Sequence, residues 1–144
     1  MILGIGVDIT QNSRFISWPE YDNQRLQHIF SEQELEAVKI LDSQQKIQFF
    51  ASRFAAKEAF FKAFSSALVR LKIHEQTQHG FDFLFACKHI IIKQGTFDIP
   101  QVIIDIAAFE NKLGIKITEF QTDLTISHEK DYSVAVVTIS QQAL

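Results

Sequence analysis

One cysteine, one methionine and two prolines are all that 144 residues contain of those types. A lone thiol, Cys87, excludes an internal disulfide and a thiolate metal cluster, and a reducing compartment, read here as the cytoplasm, is the simplest setting for it. Two prolines and five glycines leave little chain for flexible linkers. Residues 1–144 are therefore read as a single domain. Neither sign of charge dominates: 14 basic residues face 17 acidic ones, a net charge of −3. That balance argues against a nucleic-acid-binding surface, which needs a strongly basic face. No apolar run is long enough to span a membrane. Met1–Ile9 is apolar but lacks a basic flank and is interrupted by Asp8, so it is not read as a signal peptide. Gly4 and Gly6 complete neither a dinucleotide nor a Walker phosphate loop. His28, His74, His79 and His89 show no metal-ligand spacing.

What is present is apolar and aromatic, with 47% hydrophobic residues and 14 phenylalanines. Ile2–Ile9 alternates as a strand, with Leu3, Ile5, Val7 and Ile9 on one face and Gly4, Gly6 and Asp8 on the other. Two glycines on one face imply that something approaches the backbone closely there. Arg25, Leu26, Ile29 and Phe30 suggest a short helix. Ser31 and Glu34 form a capping box for a helix to about Leu41. Ser43 is expected to cap a much longer helix, Gln44 to Leu71. At about 100° per residue, Ile47, Phe50, Phe54, Phe61 and Leu68 form its apolar stripe. Phe81, Phe83 and Phe85 then alternate, Ile90–Ile92 is an apolar run, and Gly95–Pro100 is a turn. Val102–Ile106, Ile115–Ile117, Leu124–Ile126 and Tyr132–Ile139 read as strands. Ala107–Leu113 reads as a short helix ended by Gly114. This order predicts an α+β fold, a long central helix packed on a mainly antiparallel sheet. Cys87 reads as a small core residue.

Three acids and bases stand out. Glu58 lies close to the Phe stripe of the long helix, where a carboxylate needs compensation. An i,i+4 pair with Lys62 on a solvated surface is the plain alternative. Asp8 ends the glycine-lined face of the first strand; alone, it would cap the following turn. Together, Asp8 and Glu58 would supply two hard oxygen ligands from different elements, the usual way of holding Mg²⁺ with substrate phosphates. Arg53, Lys57 and Lys62 surround Glu58, either as a solvated basic flank or as a phosphate clamp suited to phosphoryl-type transfer. His128 closes an alternating strand, where a lone histidine is more often structural.

Three segments carry a resemblance. Gly4-Ile5-Gly6-Val7-Asp8-Ile9 resembles an opening motif, Arg53-Phe54-Ala55-Ala56-Lys57-Glu58-Ala59-Phe60-Phe61-Lys62-Ala63-Phe64 a signature helix, and Ile126-Ser127-His128 with Asp131–Val137 a closing hairpin. In this order they resemble the holo-acyl-carrier-protein synthase group of 4′-phosphopantetheinyl transferases. The resemblance implies transfer of the phosphopantetheinyl arm of coenzyme A to a serine of an apo-acyl-carrier protein, with release of adenosine 3′,5′-bisphosphate. It implies Asp8 and Glu58 as Mg²⁺ ligands, with Glu58 also helping to remove the serine proton, and Lys62 neutralising charge at the transferring phosphorus. It further implies Arg53, Lys57 and His128 on the nucleotide phosphates, Arg14 facing the acidic carrier, and a homotrimer.

The chain also departs from the family. Ser65–Arg70 replaces a Gly-rich stretch, so the signature helix is expected to run on. The family's Gly-Lys-Pro turn appears as Asp98-Ile99-Pro100. Extra residues lie between Phe64 and Pro100 and between Ile115 and Ser127. These departures keep two other readings open: a non-catalytic relative that binds coenzyme A or a carrier protein, and a transferase for a specialised carrier domain.

Overall fold

The computed structural model describes residues 1–73 and 81–142. Among these residues, five strands and five α-helices follow in the order β1 (Ile2–Gln11), α1 (Asn23–Leu26), α2 (Glu32–Val38), α3 (Ser43–Arg70), α4 (Phe83–His89), β2 (Ile90–Gln94), β3 (Pro100–Ile104), α5 (Ile106–Leu113), β4 (Phe120–His128) and β5 (Tyr132–Gln141). The strands form a three-stranded sheet, ordered β1-β5-β4, and a separate β2-β3 hairpin. All pairings are antiparallel. The α+β architecture expected from the sequence is the one observed.

The 28-residue α3 organises the molecule. It lies on β1 with almost no gap. A Cβ added at Gly4 would come within 2.0 Å of the Ala63 carbonyl oxygen, and one at Gly6 within 2.0 Å of the Ala59 carbonyl oxygen. The glycines thus let a helix backbone rest on a strand backbone. The side of α3 that meets the sheet must then be small, and Ala55, Ala59, Ala63 and Ala67 are fully buried there. This rotates the buried face away from the expected stripe. Phe50 and Leu68 are buried, whereas Ile47, Phe54 and Phe61 are only partly so. Gly6→Ala should cost about 3 kcal/mol and lower Tm by about 10 °C, because backbone blocks the methyl on the helix side. An unchanged Tm in a thermal melt would contradict this packing.

Two apolar clusters sit along α3. One joins its C-terminal half to β1, β5, α4 and α5 through Leu3, Phe60, Phe64, Phe109, Val137 and Ile139. The other joins its N-terminal half to the 12–38 region through Phe15, Leu26, Phe30, Leu35 and Phe50.

Several expected elements are corrected. Asp42, rather than Ser43, caps α3, in a capping box with Gln45. The Ser31–Glu34 box forms as expected, but α2 ends at Val38. Phe83 and Phe85 alternate in sequence yet lie in α4, because the Asp82 side chain accepts from the Phe85 N–H and starts a helix there. Ile115–Ile117 forms no strand. Pairing of β3 with β2 ends at Ile104, two residues short of the expected limit. Gly114 does terminate α5, in the left-handed conformation at φ 70°. Cys87 is fully buried. His74 and His79, with part of the first insertion, lie outside the described residues.

Candidate active site

Gly6 brings α3 onto β1 at Ala59, and two residues further along the strand Asp8 meets the Glu58–Lys62 turn of the helix. Asp8 pairs in register with Ala135 at the centre of β1. The Lys62 Nζ donates to Asp8 Oδ1 at 3.0 Å and to the Val7 carbonyl at 3.1 Å. The Asp8 side chain is only 17% exposed, while that of Lys62 is 48% exposed. Glu58, one turn before Lys62 on α3, is half-buried. Its pKa is raised above the ordinary carboxylate value, first by burial and then by the negative charge of Asp8, with Lys62 and Arg14 opposing. Two carboxylates from elements 50 residues apart in sequence therefore share one patch of field, and that arrangement favours a cation between them.

Arg14 belongs to the same neighbourhood. Its charge acts on Glu58, and its guanidinium carbon lies 5.8 Å from the ring centres of both Phe15 and Phe54.

A second group lies one to two turns earlier on α3. Arg53 and His128 line one cavity of about 130 Å³, together with Ser52, Gln94, Asp98, Pro100 and Ile126. The Arg53 guanidinium stacks over Phe49 at 4.2 Å and donates to Ser52 Oγ at 3.2 Å. Its Nε is buried without a hydrogen-bond partner. Burial lowers the Arg53 pKa and Glu34 opposes the shift, but a guanidinium stays charged. A charged, stacked group with an unused buried donor suits an anion. The Gln48 amide nitrogen lies 2.7 Å from His128 Nδ1. With that amide donating, Nδ1 is the acceptor and Nε2 carries the proton. The turn that presents His128 is pinned by the buried Asn12, whose Nδ2 donates to the carbonyls of Glu129 and Lys130 at 2.9 and 3.1 Å.

Lys57 is not part of either group. It follows Ala56 onto the buried side of α3 and is fully enclosed. Its Nζ donates to Glu34 Oε1 at 2.7 Å and lies within 3.3 Å of the carbonyls of Ile29, Cys87 and Ile90. An ammonium has three protons, all committed here, so the expected phosphate contact by Lys57 is replaced by a structural ion pair.

A family model described as the 4′-phosphopantetheinyl transferase superfamily matches residues 4–137. The chain belongs to that superfamily. It is 33% identical over 141 residues to a holo-[acyl-carrier-protein] synthase of Ehrlichia chaffeensis, covering 96% of this chain and 97% of that one. It is 33% identical over 144 residues to the enzyme of the same name from Treponema pallidum, covering all of both. A crystal structure of a holo-(acyl-carrier-protein) synthase from Bacillus anthracis in complex with CoA (3′,5′-ADP) superposes with a TM-score of 0.70 at 27% identity, covering 99% of each chain.

Within this superfamily member, then, Asp8, Glu58, Lys62 and Arg14 form one group, Arg53 and His128 another, and Lys57 neither. Sequence reasoning missed Gln48, Ser52, Asn12 and Glu34. Glu34 was visible only as a capping-box residue, and its second partnership, with Lys57, joins positions 23 apart. Gln48 and Asn12 are polar residues whose partners lie 80 and 117 positions away, and no local pattern marks them.

Proposed function

We propose that this chain transfers the 4′-phosphopantetheine arm of coenzyme A to a serine of an apo-acyl-carrier protein and releases adenosine 3′,5′-bisphosphate. The observation that carries the proposal is the meeting of Asp8, Glu58 and Lys62, with the Arg53–His128 cavity earlier along the same helix, in a chain whose relatives bear that activity in their names.

The donor set suits Mg²⁺. Asp8 and Glu58 offer hard oxygens, and no group of three or more His, Cys, Asp or Glu is gathered anywhere among the described residues. That leaves coordination positions for waters and phosphate oxygens, the usual pattern for this ion. Bound there, Mg²⁺ would neutralise charge on the pyrophosphate and polarise its phosphoryl oxygens.

The chain's own residues do the rest. Arg53 and the Nε2–H of His128 hold the nucleotide phosphates, and Gln48 fixes the imidazole. Lys62, half exposed beside Asp8, neutralises charge building on the transferring phosphoryl group. Glu58 takes the proton from the attacking serine hydroxyl, directly or through a water. Its raised pKa makes it a better base than an ordinary glutamate. Arg14, exposed at the rim, meets the acidic carrier.

Residues 1–144 act as one domain in this reading, and the protein assembles as a homotrimer. The outer face of β1 favours assembly: Ile5, Val7 and Ile9 are 59%, 54% and 62% exposed in one row. Val136 and Val134 of β5 lie opposite Val7 and Ile9 and extend the row. Sedimentation should report the mass of three chains.

Calorimetry tests the ligand side of the proposal. Coenzyme A should bind with Mg²⁺ present and bind at least about tenfold more weakly with a chelator. Metal-independent binding, with no turnover on any carrier, would favour the non-catalytic reading.

A further inference from the structure

His128 is exposed, and so is the whole turn that follows it, Glu129-Lys130-Asp131. These residues are not anchored by apolar burial, and the turn has no glycine or proline to set its shape. One bond closes the hairpin from within, Glu129 N–H to the Tyr132 carbonyl at 2.8 Å. The further hold comes from another element. Asn12, the first residue after β1, is 4% exposed, and Ser133, the register partner of His128 across β4 and β5, is fully buried. The Asn12 backbone N–H donates to the Asp131 carbonyl at 2.8 Å, and its Nδ2 donates to the Glu129 and Lys130 carbonyls at 2.9 and 3.1 Å. Ser133 Oγ donates to Asn12 Oδ1 at 2.8 Å, which sets the way the amide faces. Three successive carbonyls of the turn thus end on one residue.

Stability alone does not call for this arrangement. A buried amide gains little net from hydrogen bonds that it also makes in water, and an apolar side chain fills such a position without the desolvation cost. What a fully satisfied buried network adds is a single geometry. Here that geometry is imposed on the turn beside His128. The Gln48 amide nitrogen lies 2.7 Å from His128 Nδ1, a contact between two exposed side chains. It forms only where the His128 backbone delivers the ring to it. Asn12 lies four residues after Asp8 and two before Arg14. The short run of chain that carries Asp8 therefore also holds the turn of the Arg53–His128 group.

We propose that Asn12, locked by Ser133, is a positioning residue for nucleotide binding: it acts through His128, holding the imidazole where its Nε2–H meets a phosphate of coenzyme A. This rests on the coenzyme A reading above. Both Nδ2 protons and the Oδ1 of Asn12 are spent inside the protein, so the residue itself offers the ligand nothing. Its contribution is conditional on His128. With the imidazole gone, Asn12 has nothing left to position.

The test is a double-mutant cycle read by calorimetry, with adenosine 3′,5′-bisphosphate as the probe. Asn12→Ala and His128→Ala should each bind it about tenfold more weakly than the parent, the effect of one phosphate hydrogen bond misplaced or lost. Asn12→Ala in the His128→Ala background should cost no further affinity. Nitrogen NMR of isotope-labelled histidine adds a readout that lowered stability alone leaves unmoved. The parent His128 should show the Nε2–H tautomer, and Asn12→Ala an average of both. Ser133→Ala keeps the donors to the turn but frees the amide to rotate. Its affinity should fall between those of Asn12→Ala and the parent, and it decides the matter if Asn12→Ala fails to fold. An unchanged bisphosphate affinity in Asn12→Ala, or in Ser133→Ala where only that variant folds, would overturn the inference. So would an equal further loss in the His128→Ala background, or an unmoved tautomer. A parent protein that binds no bisphosphate, or a His128→Ala protein that binds it like the parent, would overturn the coenzyme A reading of His128 and this inference with it.

Discussion

Glu58→Gln should lower carrier modification by about 10²–10³-fold and at the same time make the folded protein more resistant to heat at neutral pH. Both effects follow from one side chain. Folding half-buries the carboxylate and sets it beside Asp8, and both influences raise its pKa. A carboxyl group whose folded-state pKa lies above its unfolded value disfavours folding once it ionises. Stability therefore falls as pH rises from the unfolded value through the raised one, and the deficit is complete above both. Glutamine removes that deficit. Its stabilising effect should be present at pH 7 and vanish below the unfolded pKa, as thermal melts in chelator across pH will show. Activity requires the ionised form, to hold a metal or to accept a proton, so parental activity should fall on acidification around a midpoint above that of an ordinary glutamate. A Glu58→Gln protein that keeps near-parental activity would remove Glu58 from the reaction. One that is inactive but less stable at pH 7 would contradict the electrostatics.

The second large effect lies outside the site. Lys57→Ala should cost about 3–5 kcal/mol, because it leaves the Glu34 carboxylate buried without its cation. The two side chains are 0% and 1% exposed. Glu34 Oε1 accepts from Lys57 and from the Ser31 N–H, and Oε2 accepts from the Ile92 N–H at 3.1 Å. Lys57 in turn caps carbonyls before α2, in α4 and in β2. The pair thus ties four segments to the middle of α3. Removing both charges is less damaging than stranding one. The double variant Lys57→Met/Glu34→Gln should therefore recover more than half of the loss in urea unfolding. Were Lys57 on the phosphate flank instead, Lys57→Ala would weaken coenzyme A binding with little change in the unfolding midpoint.

Lys57 also shows where the sequence stops being informative. Its motif position next to Glu58 groups it with the phosphate-binding cations, yet one step along a helix is a rotation of about 100°, and here that step crosses from the site into the core. The stripe of α3 was misplaced for a related reason. Periodicity weights phenylalanine heavily, whereas the contact with β1 is made by alanines, because Gly4 and Gly6 leave no space for anything larger. The glycines themselves were legible as a sign of close approach. Asp8 and Glu58 were legible only as a candidate pair of hard oxygen ligands; that the helix is what approaches the glycines, and that β1 runs on past Asp8 to Gln11, the sequence did not show. The Ser31–Glu34 box and the Gly114 stop were readable because their partners lie within a few residues. Gln48 and Asn12 were not, because each acts on the His128 turn from far along the chain. The Phe83–His89 helix is not legible from the alternation of Phe81, Phe83 and Phe85, because the Asp82 side chain caps a helix there instead.

The measurement closest to the central claim is the intact mass of an apo-acyl-carrier protein after incubation with this protein, coenzyme A and Mg²⁺, beside a sample in which a chelator replaces the metal. A gain of one phosphopantetheinyl arm in the first sample and none in the second is the predicted result. An unmodified carrier, with coenzyme A shown to be bound in the same sample, would contradict it.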